Sequence, residues 1–100
     1  MAIYETSNGS VFEFSVERQL DGSIRAYIVR QPSYGSRDSS CQTTHRLKDK
    51  DEDRYYVCWN ELLYTMADVK KVAADWSRRT DRYIKTGKAL VTEAARASSS

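Results

Sequence analysis

The feature that most constrains this chain is a long amphipathic segment that predicts an α-helix from Met66 to about Gly87. At about 100° per residue, its largely apolar stripe covers about a third of the circumference. The stripe consists of Met66, Val69, Val72, Ala73, Trp76, Thr80, Tyr83 and Ile84. Thr65 and Asp68 form a variant of the capping box before this segment, and Gly87 suits a helix C-cap. We therefore expect one long C-terminal helix with a single buried face.

An alternating segment near the N-terminus predicts a β-hairpin. Val11–Glu17 alternates apolar with polar residues, Asp21-Gly22 suits a tight turn, and a second strand is expected over Ile24–Gln31. A two-residue loop predicts the cross-strand pairs Val16–Tyr27, Phe14–Val29 and Glu13–Arg30. A three-residue loop that places Phe14 opposite Arg30 matches polarity less well, so the two-residue loop is preferred.

Two further strands are predicted over Cys41–Leu47 and Arg54–Trp59, joined by a solvated acidic turn at Lys48–Asp53. The expected register is Leu47 opposite Arg54, His45 beside Tyr56 and Thr43 beside Cys58. The fold class is then α+β, with an antiparallel sheet in the order β-β-β-β-α and the helix packed on one face. Ile3–Thr6 is expected to add a fifth strand at an edge.

The chain has 100 residues, which suits one domain. We expect residues 1–87 to form a compact unit, and residues 88–100 to be a short helix or loose tail with a disordered, serine-rich end. The longest apolar run, Tyr55–Trp59, is too short to span a membrane, and no secretory signal is visible. With two cysteines, Cys41 and Cys58, a disulfide scaffold is not expected, so the predicted location is cytoplasmic.

The net charge of +2 is unevenly distributed along the chain. Residues 65–100 contain eight Lys and Arg against four acids, whereas residues 1–40 and 41–64 each carry a net charge of −1. Four cations lie within about 60° on the polar side of the predicted helix. They are Lys71, Arg78, Arg82 and Lys85. This row matches a phosphate backbone, although Asp75 and Asp81 lie at pairing distance and a solvated face is the commoner structure.

Aromatic residues predict a second binding surface. Most suit a core between sheet and helix, made of Tyr27, Tyr55, Val57, Trp59, Trp76 and Tyr83. On the predicted registers, the opposite sheet face carries Ile24, Ala26, Ile28, His45, Tyr56 and Cys58 beside Glu13 and Arg30. A patch this apolar favours a homodimer, a partner protein or stacked bases. The polar 32–40 loop is expected to be mobile and to contribute to this binding surface. The candidate binding residues of the loop and the second sheet face together are Arg30, Tyr34, Arg37 and Tyr56.

Catalytic and metal sites are not indicated. Cys41 and His45, four residues apart on a strand, lie about 13 Å apart, too far to share one metal ion. The sequence has a single histidine and no glycine-rich phosphate loop. We therefore expect no enzyme, no metal, no cofactor and no small-molecule substrate.

Two hypotheses about function remain. The first is a small binding or regulatory module that acts through a protein partner or self-association, for instance as an inhibitor. The second is a nucleic-acid-binding module that uses the basic helix face. The first is preferred, because Asp75, Asp81 and the Lys48–Asp53 turn weaken the attraction to nucleic acid.

Overall fold

A computed structural model describes residues 2–59 and 61–88, which form one antiparallel sheet and two helices. Along the chain the elements are β1 (Ala2–Glu5), β2 (Val11–Arg18), β3 (Ile24–Arg30), α1 (Cys41–Thr44), β4 (Arg46–Lys48), β5 (Tyr55–Val57) and α2 (Met66–Thr86). The strands lie in the order β1-β2-β3-β5-β4. The predicted α+β fold is confirmed, with β1 as the fifth strand. The predictions for residues 89–100 lie outside the described residues.

The β2–β3 hairpin turns through three residues rather than two. Gln19 N–H donates to Ser23 O at 2.7 Å and Gly22 N–H to Gln19 O at 3.0 Å, which leaves Leu20, Asp21 and Gly22 in the loop. Gly22 has a φ of 89°, a conformation that glycine adopts without strain. The predicted two-residue loop is therefore wrong by one residue.

This difference changes the register of the hairpin. Near the turn Val16 lies opposite Ala26 and Phe14 opposite Ile28, so the predicted partners Tyr27 and Val29 are wrong. A bulge between Glu13 and Phe14 then restores the predicted Glu13–Arg30 pair.

A one-residue shift moves every side chain of a strand to the other face. Ile24 and Ala26 are accordingly buried against α2 together with Phe12 and Phe14, and Ile28 packs against that cluster. The predicted apolar outer face, which included Ile24, Ala26 and Ile28, is therefore wrong. Tyr27, predicted for the core beneath the helix, packs against Tyr56 instead.

The predicted third strand is wrong in its first half, because a local cap competes with extended structure. The Ser40 side chain accepts from Thr43 N–H, and Asp38 accepts from Ser40 N–H at 2.9 Å. These bonds start α1, and His45 ends it in a left-handed conformation with φ 54°. The strand β4 begins only at Arg46, and it places Leu47 opposite Tyr56 rather than Arg54.

Helix α2 begins and ends as predicted. Thr65 Oγ1 accepts from Asp68 N–H at 3.2 Å, and Gly87, with φ 76°, donates its N–H to Tyr83 O at 2.8 Å. The centre of its buried face is Trp76, which meets Phe12 and Phe14 edge to face at centroid distances of 5.9 and 6.0 Å. Neither helix in the described ranges is long and apolar enough to cross a membrane.

Candidate functional site

Some of the exposed apolar side chains surround a cleft of about 190 Å³. Three of them line it, and they are 40%, 36% and 63% exposed: Leu47, Trp59 and Leu62. We call this feature the apolar cleft. Its floor consists of buried residues of β3 and α2, among them Ile24 and Val69. The cleft thus opens directly onto the hydrophobic core.

The connection between β5 and α2 forms one wall of the apolar cleft. Its backbone is held to the sheet, because Ile24 N–H donates to Leu63 O at 2.7 Å. Leu63 packs against the core, whereas its neighbours Leu62 and Tyr64 are exposed. This alternation presents apolar side chains to solvent on a backbone that is fixed at one point.

The rim of the apolar cleft carries negative charge. Asp21 accepts from both the N–H and the Oγ of Ser23, and these hydrogen bonds hold the pKa of its carboxyl below the usual value. Glu61 is a second, exposed carboxylate in the lining. The one lining cation, Arg25, already contacts Asp49 at 3.3 Å. Asp21 and Glu61 make no ion pair within residues 2–59 and 61–88.

The outer face of the sheet, by contrast, is covered by a polar network. Tyr27 Oη donates to Asp49 Oδ2 at 2.6 Å, and the Arg54 guanidinium carbon lies 3.7 Å from the Tyr27 ring centroid. Arg54 donates two hydrogen bonds to Glu17 at 2.7 and 3.1 Å and pairs with Glu52. The Arg54 hydrogen bond is the main reason that the pKa of Glu17 lies below its usual value. This face is not a free apolar surface.

The predicted basic face borders a separate groove of about 440 Å³ between α2 and the loop that joins β1 to β2. Arg78, Arg82 and Lys85 line this cationic groove, whereas Lys71 is exposed on the same helix outside the lining. The structure therefore brings three of the four predicted cations together.

Asp81 holds the two walls of the cationic groove together. Its carboxylate accepts from Asn8 Nδ2 at 2.8 Å and from Ser10 Oγ at 2.7 Å, and it lies 3.4 Å from Lys85 Nζ. Burial alone would raise the pKa of this carboxyl, but hydrogen bonds from Asn8 and Ser10, together with Thr6 and the charge of Lys85, outweigh it and the pKa is lowered. The predicted Asp81–Lys85 pair is thus present, while Asp75 pairs with Arg78 and Arg79.

The other predicted binding residues are dispersed. Arg30 is exposed and pairs with Glu13 at 3.8 Å. Arg37 donates Nε–H to Ile84 O at 3.2 Å, near the C-terminal end of α2. Tyr56 packs on Tyr27 at a centroid distance of 5.7 Å and also lines the apolar cleft.

The prediction that Tyr34 is an exposed loop residue is wrong. It is only 8% exposed, because its ring packs 6.1 Å from that of Tyr83 and the Arg46 guanidinium covers it at 4.9 Å. Contacts of this kind tie the 32–40 loop to the core and to α2. Tyr34 is therefore part of the hydrophobic core and is not exposed to a binding partner.

The sequence reasoning missed Leu47, Trp59 and Leu62 as surface residues. Trp59 was expected in the core, on the assumption that the last strand continues to it, but β5 ends at Val57. The apolar run Leu62-Leu63-Tyr64 directly before the Thr65 cap was the available signal. In the structure this run exposes Leu62 and Tyr64 and packs only Leu63 against the core.

Two further observations concern metal ligands and thiols. Among residues 2–59 and 61–88, no group of three or more His, Cys, Asp or Glu side chains could hold a metal ion. Burial raises the pKa of the Cys58 thiol, which disfavours a reactive thiolate. Comparison of the chain with protein-family models, curated proteins and solved structures finds no match.

Proposed function

We propose that this chain is a non-catalytic protein-binding module whose apolar cleft accepts an apolar side chain of a partner protein. The observation that carries the proposal is the gathering of Leu47, Trp59 and Leu62 around one cleft. A contiguous exposed apolar patch costs solvation free energy unless a partner covers it. A tryptophan beside a pocket is also typical of the residues that dominate binding energy in protein interfaces.

The dimensions and charge of the apolar cleft define the partner. A volume of about 190 Å³ suits one large side chain, since an apolar cavity of about 150 Å³ accommodates benzene. The carboxylates of Asp21 and Glu61 at the rim favour a Lys or Arg close to that side chain. The proposed ligand is therefore a protein segment with an aromatic or aliphatic anchor and an adjacent basic residue.

The free thiols Cys41 and Cys58 support a reducing compartment, and we propose the cytoplasm as the location of the module. A regulatory or inhibitory role would follow if the bound segment belonged to the working surface of the partner. The alternative function, nucleic-acid binding, concerns the cationic groove and does not involve Leu62.

A peptide library displayed on phage tests the proposal with a defined probe. Peptides selected on the immobilised protein should be enriched in an aromatic or aliphatic residue next to Lys or Arg. Leu62→Glu places a charge in the cleft and should weaken these peptides by at least about tenfold, because burial of an unpaired charge is unfavourable. Ile3→Glu is the matched control, since Ile3 is 64% exposed on β1 and Leu62 is 63% exposed.

The expected result is full binding by Ile3→Glu and loss of binding by Leu62→Glu. Selected peptides that bind both variants equally would contradict the proposal, and so would enrichment of acidic peptides without an apolar anchor. Light scattering in parallel distinguishes a second copy of this chain as the occupant, since self-association would then be lost in Leu62→Glu alone.

A further inference from the structure

We propose that the cationic groove binds the phosphate backbone of a nucleic acid, a function beyond the protein binding proposed above. Arg78, Arg82 and Lys85 line the groove at helical spacings of four and three residues. At about 1.5 Å of rise per residue, they cover about 10 Å along α2. Lys71 lies seven residues before Arg78, so the whole row of cations is about 21 Å long.

Two cations of the groove, Arg78 and Arg82, are available to a ligand, whereas Lys85 pairs with Asp81. Arg82 is exposed, and its side chain makes no hydrogen bond or ion pair with the residues that the structure describes. Arg78 meets Asp75 Oδ1 at 3.3 Å in an exposed pair, which contributes little stability and is readily exchanged. Arg79, whose side chain is far less exposed, holds the other oxygen of Asp75 at 2.8 Å. Asp75 therefore keeps a cationic partner when Arg78 contacts a ligand.

The two acids of the groove do not cancel its positive charge. Three cations in the lining, Arg78, Arg82 and Lys85, face the carboxylates of Glu5 and Asp81, an excess of one positive charge. The Asp81 carboxylate is buried and accepts from Asn8 and Ser10, so it acts mainly as a clamp between the walls. Glu5 is the exposed acid in the lining, and it stands on β1, across the groove from the helix.

A linear polyanion fits this arrangement better than a small phosphate does. The cations form a row that continues past the groove to Lys71, rather than a ring that converges on one point. A nucleic-acid strand carries one phosphate for each nucleotide, about 3.4 Å apart along a duplex axis, so a row of about 21 Å can meet several phosphates. Arginine also binds phosphate through two parallel hydrogen bonds, which favours Arg78 and Arg82 as the central contacts.

The test measures fluorescence anisotropy of labelled 20-nucleotide DNA, single-stranded and duplex, across sodium chloride concentrations. The variant Arg78→Gln/Arg82→Gln removes two groove cations. The control Arg18→Gln/Lys50→Gln removes the same charge from exposed residues outside the groove lining. Circular dichroism verifies that both variants are folded.

Wild-type protein should bind at about 50 mM salt, with affinity that falls as salt rises. The groove variant should bind on the order of tenfold more weakly, and its log–log salt slope should fall by about 1.4 for single strands or about 1.8 for duplex. The control should keep the wild-type slope.

Absence of binding to both DNA forms at low salt would overturn the proposal. An equal loss of affinity in the groove and control variants would also overturn it, because net charge rather than the groove would then explain binding. Leu62→Glu should bind DNA as wild type does, so failure of this proposal is distinguishable from failure of the protein-binding proposal.

Discussion

Trp76 is predicted to hold the molecule together through two separable contributions, packing and one hydrogen bond. Its indole is 2% exposed, meets Phe12 and Phe14 edge to face, and donates Nε1–H to Thr44 O at 3.0 Å. That hydrogen bond joins α2 to α1, and α1 is only a single short turn of four residues. Substitutions at this position can therefore separate the cost of lost packing from the cost of an unpaired carbonyl.

Trp76→Ala removes both contributions and should cost about 3–5 kcal/mol of unfolding free energy. That is a large share of the roughly 5–15 kcal/mol expected for a domain. Trp76→Phe keeps a ring against Phe12 and Phe14 but leaves the buried Thr44 carbonyl unpaired, which should cost about 1–3 kcal/mol. Urea unfolding followed by circular dichroism measures both values.

Hydrogen exchange supplies a second readout for Trp76→Phe. The amides of Thr44 and His45, which donate to Ser40 O and Cys41 O, should lose protection because α1 is no longer fastened to α2. Trp59→Phe is the control, since Trp59 is partly exposed and lines the apolar cleft, and it should leave these amides unchanged. The reasoning is refuted if Trp76→Phe costs no more than Trp59→Phe, or if the α1 amides stay protected.

Two further predictions concern buried polar contacts. Because the folded pKa of Asp81 is lowered, its contribution to stability is present above the unfolded pKa of about 3.9 and is lost as pH falls through the folded pKa. Urea unfolding should therefore show Asp81→Asn less stable than wild type above about pH 5, and the difference in unfolding free energy should shrink as the pH falls. A difference that stays constant with pH would contradict this. Tyr27→Phe removes the hydrogen bond that most lowers the pKa of Asp49. NMR titration should show that pKa rising toward its ordinary value, and an unchanged pKa would refute the assignment.

Local signals made the long helix predictable from sequence. The apolar stripe of α2 and its caps at Thr65 and Gly87 depend on neighbouring residues. The caps are present and the stripe is buried from Val69 to Tyr83, whereas Met66, which was also predicted for the stripe, is 45% exposed. The four candidate cations of this helix follow from the same periodicity, and three of them line the cationic groove. Periodicity could not show the second wall of the cationic groove, which is the loop between β1 and β2. The contact of Asn8 with Asp81 that holds this wall joins residues 73 positions apart.

The length of the β2–β3 turn limited the prediction of a binding surface on the sheet. Asp21-Gly22 correctly indicates a hairpin, but its one extra loop residue and the bulge at Glu13/Phe14 depend on how the whole sheet packs. The one-residue change of register places Tyr27 on the outer face, so the predicted apolar patch is wrong. The apolar cleft could not be predicted for a related reason. The sequence does not reveal that β5 ends at Val57, and the length of β5 decides whether Trp59 is buried or exposed.

The two indole N–H resonances in an NMR titration test the protein-binding claim most directly. Trp59 lines the apolar cleft, whereas Trp76 is buried in the core and lies outside the lining. On addition of a selected peptide, the Trp59 signal should shift in proportion to occupancy and the Trp76 signal should stay in place; in Leu62→Glu neither should move. Tight peptide binding that leaves the Trp59 signal unshifted would contradict the assignment of the apolar cleft as the binding site.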